Sequence, residues 1–284
     1  MKLDKIGIAG AGLMGTDAAL DFSSFGYKVI LLDINADIFE NSKRKMQSMF
    51  SLMKLTNQRY KSLNFDSIMN NIEFTTDNHD FSDVDLVVEN ITENWDKKKE
   101  LYVTLNKVCR PDTIFAVNTS CISITKISGL MDDPTKVIGM HLMNPVPMKE
   151  LVEVIEGFHT SEQTLTQICD FLRAVNKNPV VVKDLPGFVT NRVLMLTINE
   201  CIWLVQDGVS NPADIDKIFR LGFGHQMGPL ATCDLIGLDT ILESLIVLFE
   251  SYNDPKYRPS PLLRKMVDAG LLGKKSGKGF FAYE

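Results

Sequence analysis

The run Gly10-Ala11-Gly12-Leu13-Met14-Gly15 constrains this chain more than any other stretch. It is a GxGxxG motif that follows a short apolar run at residues 5–10 and opens a stretch of helical spacing, Met14–Phe25, which Gly26 ends. Gly10 permits the tight turn, Gly12 lets the backbone approach a pyrophosphate, and Gly15 lets helix and strand pack closely. The helix N-terminus then presents free N–H groups to phosphate, with Leu13 and Met14 beside it. Asp33, 21 residues after Gly12, ends a second apolar run at Val29–Leu32. A carboxylate there accepts hydrogen bonds from ribose hydroxyls and repels a 2′-phosphate, and the following Ile34 and Asn35 are uncharged. The pattern favours NAD over NADP. FAD uses the same fingerprint and competes at this point, and a glycine-rich structural turn without a ligand is the blander alternative.

Further apolar runs stand at 86–88, 114–117, 137–140 and 180–182, with helical stretches such as Trp95–Val108 and Glu162–Ala174 between several of them. Residues 36–55 form another long helical candidate. Strands alternating with helices imply βαβ units, an α/β fold and a mostly parallel Rossmann-type sheet. The pattern changes near Leu185-Pro186-Gly187. Beyond it only helical stretches follow, at Val189–Gln206, Pro212–Leu221, Pro229–Ser251 and Pro261–Ala269, several of them starting at proline. The expected organisation is a dinucleotide-binding domain over 1–186 and an all-helical domain over 187–284. A helical domain that small exposes much apolar surface alone, so docking or dimerisation is expected.

Charge excludes some functions. Thirty basic and 36 acidic residues leave a net charge of −6, which argues against a general electrostatic grip on nucleic acid. No run approaches the apolar length of a membrane span, and the polar N-terminus does not read as a signal peptide. Five scattered cysteines without a CxxC pair read as free thiols, so a soluble cytoplasmic protein is expected, with no disulfide framework. No HExxH or clustered Cys/His set points to a metal.

Three segments carry dense polarity: Asn118-Thr119-Ser120, His141 to Pro147, and Gly187 to Arg192. The first two follow apolar strand runs, placing them at strand carboxyl ends, where open α/β sheets bind ligands. His141 is the only one of four histidines so placed, and it suits proton transfer near neutral pH. By itself it reads equally well as a satisfied structural histidine.

The segments GIAGAGLMG, VVENITENWDKKKELY, VNTSCISIT, GMHLMNPVPMKELVEVIEG, PGFVTNRV, MGPLATCDLIGLDT and LLGKKSGKGFFAY, in that order, resemble the short-chain 3-hydroxyacyl-CoA dehydrogenases over nearly the whole chain. The resemblance implies reversible, NAD-dependent oxidation of an L-3-hydroxyacyl thioester to the 3-oxoacyl thioester, by a homodimer whose helical domain closes the substrate cleft. It matches His141 to the catalytic histidine and Glu153 to the acid paired with it. Ser120 matches a hydroxyl on the reacting oxygen, and Asn191 an amide contacting substrate oxygens. Glu93 and Lys98 match positions lining the NAD site, and Asn144 a supporting loop position. With this set FAD recedes. The plainer alternatives are an outward strand position for Glu153 and helix capping for Ser120 and Asn191. Cys121 beside Ser120 is not needed as a nucleophile, since hydride transfer forms no covalent intermediate. The tail lysines Lys274, Lys275 and Lys278 read as solvated or as lining the domain contact.

Two departures bear on the thioester carrier. Glu150 stands before Leu151 where a lysine is usual, and the positions of the usual CoA-contacting serine and lysine hold Met49 and Thr56, with Lys54 nearby. Phosphates favour cations, so a carrier-protein thioester, such as a glyceryl group on an acyl carrier protein in polyketide extender-unit synthesis, is the alternative substrate. An NAD-binding sensor or structural protein without turnover is the alternative of another class.

Overall fold

The computed structural model describes residues 3–120 and 122–283. The chain forms two compact units, Met1–Asp184 and Leu185–Glu284. In the first, a Rossmann-type sheet of eight strands runs β1 (Lys5–Ala9), β2 (Lys28–Leu32), β3 (Ile72–Thr75), β4 (Leu86–Glu89), β5 (Ile114–Val117), β6 (Val137–Leu142), β7 (Leu151–Glu156) and β8 (Asn178–Lys183). Its spatial order is β3-β2-β1-β4-β5-β6-β7-β8, with every neighbouring pair parallel except β6–β7. Helices α1 (Leu13–Ser23), α2 (Ile38–Thr56), α3 (Gln58–Lys61), α4 (Phe65–Met69), α5 (Trp95–Val108), α6 (Ile124–Ser128) and α7 (Glu162–Ala174) complete it.

The central strands are continuous apolar runs because they are covered on both faces. Leu86, Val87 and Val88 are fully buried, and each such side chain contributes about 1.5–3 kcal/mol of transfer free energy. Strand order reverses between β1 and β4, the crevice where open α/β sheets take ligands.

Some elements differ from the sequence expectation. Strand β3 carried no strong apolar run, since Glu73 interrupts it and only Ile72 is buried. Strand β8 lies at the sheet edge with Val180 and Val181 exposed, so its apolar run does not mark a strand covered on both faces. The stretch Pro229–Ser251 is two helices, broken at Gly237, whose φ of 106° lies in the left-handed half of backbone space.

The second unit packs α8 (Thr190–Gln206), α9 (Pro212–Gly222), α10 (Pro229–Ile236), α11 (Leu238–Tyr252) and α12 (Pro261–Asp268) around a core that includes Ile198, Ile202, Leu230, Leu238, Ile241 and Leu245. Asp234, fully buried in α10, accepts from the Phe280 and Phe281 amides and the Tyr283 hydroxyl, and so clasps the C-terminal segment. Lys274, Lys275 and Lys278 in that segment are exposed, and Lys275 pairs with Asp239 at 2.6 Å. Among the described residues no helix is long and apolar enough to cross a membrane. Cys109, Cys169, Cys201 and Cys233 are free thiols, and Cys121 lies outside the described residues.

Helix α1 is buried almost throughout, yet it carries Asp17 and Asp21 one turn apart. Burial above all pushes the Asp17 carboxyl up to about 6, the Val146 amide opposes this, and neighbouring Asp21 adds to it. A folded-state value above the ordinary carboxylate range means that the native protein holds this proton longer than the unfolded chain does. The group's contribution to stability is therefore full below about pH 4 and is lost as pH rises through about 6. The Asp17→Asn protein should be more stable than the parent by about 1–3 kcal/mol at pH 8, with the gap narrowing toward pH 5. Urea unfolding at both pH values measures this, and a pH-independent difference would contradict it.

Candidate active site

The glycine turn joins β1 to α1. Gly10 has φ of 100°, and a Cβ there would lie 2.7 Å from the Asn90 carbonyl oxygen of the neighbouring β4 segment. At Gly15 a Cβ would lie 1.8 Å from the Gly10 carbonyl oxygen, so helix and turn touch only because no side chain intervenes. At Gly12 a Cβ would meet nothing within 4 Å. This open backbone face at a helix N-terminus is what a pyrophosphate needs. Asp33 leaves β2, and its Oδ2 accepts from the Ala11 amide at 2.8 Å, holding the turn while the carboxylate remains half-exposed. A cleft of about 520 Å³ opens here, bordered by Gly10, Gly12, Asp33, Asn90, Lys97 and Leu101 among others. The open glycine face, the acid and the cleft together fit a dinucleotide. Leu13 is half-exposed at the helix start, while Met14 packs partly on the core.

Lys98 does not face the cleft directly. It is fully buried, with its Nζ 2.9 and 2.7 Å from the two Glu89 carboxylate oxygens and 3.3 Å from Glu93 Oε2. Burial pushes the Glu89 carboxyl up, and Lys98 opposes that shift. Lys98 thus joins Glu89 of β4 to Glu93. Glu93 Oε1 accepts from the Ser120 amide at 3.1 Å and from the Thr119 hydroxyl, so one carboxylate holds the loop after β5.

That loop faces the end of β6. His141 and Glu153 are directly opposite each other across the antiparallel β6–β7 pair. His141 Nδ1 lies 2.8 Å from Glu153 Oε2, and His141 Nε2 lies 3.1 Å from Ser120 Oγ. Both His141 and Glu153 are buried. A carboxylate acceptor at Nδ1 assigns the neutral ring's proton to that nitrogen and leaves Nε2 as the acceptor beside the Ser120 hydroxyl. A base is thus held by an acid on one side and faces a hydroxyl on the other. Helix α6 is capped by Ser123, whose hydroxyl accepts from the Lys126 amide, so Ser120 is not the cap of that helix. Asn144 is exposed on the loop after β6.

Asn191 belongs to the second unit, as the second residue of α8, and Val189 occupies the N-cap position. In α2, Met49 is half-buried and Thr56 exposed, while the Lys54 ammonium lies 5.2 Å from the Phe50 ring centroid. Glu150 is exposed and accepts from Asn178 Nδ2 at 3.1 Å.

Sequence reasoning missed several supports. Glu89 looked like the end of an apolar strand but is the partner of Lys98 and also accepts from Tyr102 at 3.3 Å. Asn118 Oδ1 accepts from the Leu142 amide at 3.1 Å, and its Nδ2 donates to Asn90 at 2.7 Å, tying β4, β5 and β6 together at their carboxyl ends. The polar density of residues 118–120 was the available signal. Nothing local pointed to Glu89.

The family model "3-hydroxyacyl-CoA dehydrogenase, NAD binding domain" matches residues 5–185, and "3-hydroxyacyl-CoA dehydrogenase, C-terminal domain" matches residues 187–283. A probable 3-hydroxybutyryl-CoA dehydrogenase of Bacillus subtilis is 43% identical over 284 residues, covering 100% of this chain and 99% of the relative. The mitochondrial hydroxyacyl-coenzyme A dehydrogenase of Homo sapiens is 37% identical over 285 residues, covering 98% of this chain and 90% of that protein. The crystal structure of (S)-3-hydroxybutyryl-CoA dehydrogenase PaaH1 from Ralstonia eutropha superposes with a TM-score of 0.94 at 36% identity, covering 100% of both chains.

Proposed function

Since the chain belongs to the 3-hydroxyacyl-CoA dehydrogenase family, we propose that it interconverts L-3-hydroxybutyryl-CoA, or a similarly short 3-hydroxyacyl-CoA, and the 3-oxoacyl thioester, with NAD as the redox partner. The observation that carries this reading is the continuous chain Ser120–His141–Glu153 at the carboxyl end of β6. Nicotinamide, when bound, supplies the hydride acceptor or donor. His141 Nε2 takes the hydroxyl proton during oxidation and returns it during reduction. Glu153 holds the ring in the required tautomer and stabilises the imidazolium that forms. Ser120 orients the reacting oxygen, and Glu93 keeps Ser120 in place. Asn191 is assigned a contact to substrate oxygens on the family pattern alone. Gly10, Gly12, Leu13, Met14, Gly15 and Asp33 are assigned to the dinucleotide, with Lys98 supporting Glu93.

A second reading concerns the carrier of the acyl group. Met49, Thr56 and Glu150 replace a hydroxyl and two cations, which favours a phosphopantetheine arm on a carrier protein. NADH consumption with acetoacetyl-CoA, followed by nicotinamide absorbance, tests the reading. Rapid consumption supports the CoA substrate. A protein that binds NADH but leaves acetoacetyl-CoA unreduced, and reduces a 3-oxoacyl carrier protein, supports the second. Reduction of neither overturns both.

The helical unit is further assigned to substrate closure and homodimer formation. Its exposed apolar side chains include Val209, Leu221 and Phe223, and a sedimentation mass of one chain would remove the dimer. The free thiols of Cys109, Cys169, Cys201 and Cys233 suit a reducing cytoplasm, which localisation of the tagged protein checks.

A further inference from the structure

Burying charge in a helix packed on both sides is unfavourable without a partner. For Asp21 of α1 that partner is Lys177, which precedes β8 and is itself 5% exposed. The Lys177 Nζ stands 2.7 Å from Asp21 Oδ2 and donates to the carbonyl oxygens of Val146 at 2.6 Å and Lys149 at 2.9 Å. The ammonium thus has two carbonyl acceptors and one carboxylate as ion-pair partner. Asp21 is further supported by the Tyr60 hydroxyl at 3.3 Å and by Arg59 at 4.0 Å.

The two carbonyls identify what is being held. Val146–Met148 is a single 3-10 turn packed on α1, and it lies in the connection between β6 and β7. Strand β6 carries His141 and β7 carries Glu153, so this connection sets how the two strands meet. At its other end α1 opens from the glycine turn. One buried ammonium therefore fastens the base–acid couple to the helix that presents the dinucleotide site. Apolar side chains of similar volume often match or exceed a buried ion pair in stability, so folding alone does not account for charge at this place.

We propose that Lys177, anchored by Asp21, is a positioning residue for proton transfer: it grips the β6–β7 connection at Val146 and Lys149 and so keeps His141 in register with Glu153 and Ser120. This rests on the assignment of proton transfer to His141.

The test is the apolar swap Lys177→Met/Asp21→Leu. Its unfolding midpoint should stay near that of the parent, and its NADH affinity, by fluorescence titration, within about two-fold. The kcat with acetoacetyl-CoA should fall by about 10- to 100-fold, the cost of a small misplacement of a reacting group. The low-field proton resonance of the His141–Glu153 hydrogen bond, identified by its loss in His141→Gln, should broaden or vanish. Asp21→Asn leaves the buried ammonium without its counter-ion, so its kcat and resonance should fall in the same direction as in the swap. A folded swap that keeps both kcat and the resonance overturns the proposal. So does a loss of kcat matched by equal losses of stability and NADH affinity, or a folded Asp21→Asn protein that keeps both the parental kcat and the resonance. If the swap does not fold, Lys177→Gln, which retains a donor for one carbonyl, is expected to show the same losses in smaller measure. The resonance needs no substrate. A parent protein that shows it but reduces no thioester overturns the functional reading and leaves the positioning test intact.

Discussion

In the His141→Gln protein, reduction of acetoacetyl-CoA is expected to slow by about 10²- to 10⁴-fold, the range carried by one general acid–base group. Glutamine fills much of the same space, and its amide retains a donor and an acceptor for Glu153 and Ser120. It has no proton to exchange near neutral pH, so the surroundings survive while the chemistry does not. NADH binding should be unchanged within about two-fold, because the residue lies at the end of β6 and not at the glycine turn. Stopped-flow absorbance gives kcat, and fluorescence titration gives the NADH affinity. A variant that turns over at the parental rate would remove His141 from the reaction. A parent with no turnover on any thioester, yet tight NADH binding, would instead favour the sensor reading.

The second large effect is expected at the glycine turn, where two neighbouring glycines separate packing from ligand access. In Gly15→Ala the new Cβ falls 1.8 Å from the Gly10 carbonyl oxygen and 3.1 Å from the Gly10 carbonyl carbon. Both are backbone atoms, so the turn itself must move. Overpacking of this kind costs about 1–3 kcal/mol or more, and a displaced turn should weaken NADH about 100-fold, equivalent to about 2.7 kcal/mol. In Gly12→Ala the added methyl meets no protein atom within 4 Å. That protein should unfold at the parental midpoint while still binding NADH poorly, because the methyl occupies the space a pyrophosphate needs. Calorimetry with NADH titration compares the two. Equal loss of stability in both variants, or undiminished NADH affinity in Gly12→Ala, would contradict this account.

What the sequence made legible follows from how local each feature is. The glycine turn and Asp33 could be read because motif, flanking strands and spacing lie within one short βαβ segment. His141 was readable as a candidate from its place after an apolar run, whereas Glu153 came only from the family pattern, and their opposition across β6–β7 emerges only from strand register. Glu89 and Lys98 were harder. A glutamate closing an apolar strand and a lysine in a run of three carry no sign that burial will join them. The family pattern placed Lys98 at the NAD site, and only the fold shows it fully buried against Glu89. Asp17 and Asp21 were invisible for a related reason. Polar residues one turn apart on a helix usually mark a solvated face, whereas α1 has no such face. Helices α10 and α11 read as one because the residues around Gly237 keep helical apolar spacing, and only the backbone at that glycine departs.

The single antiparallel pair in the sheet also separates the two halves of the site by the loop lengths needed to build them. His141 and Glu153 meet after a connection spanning 12 positions in sequence. Asp85, which leads into β4, meets Lys5 at the start of β1 across 80 positions. Closing a longer loop costs more chain entropy, and contacts distant in sequence form more slowly. The His141–Glu153 pair therefore sits on the kinetically cheap part of the fold, while the crevice at the glycine turn waits for the chain to bring β1 and β4 together. During refolding, protection of the β6–β7 amides should precede NADH binding, and the gain of redox competence becomes a late event in the assembly of the chain.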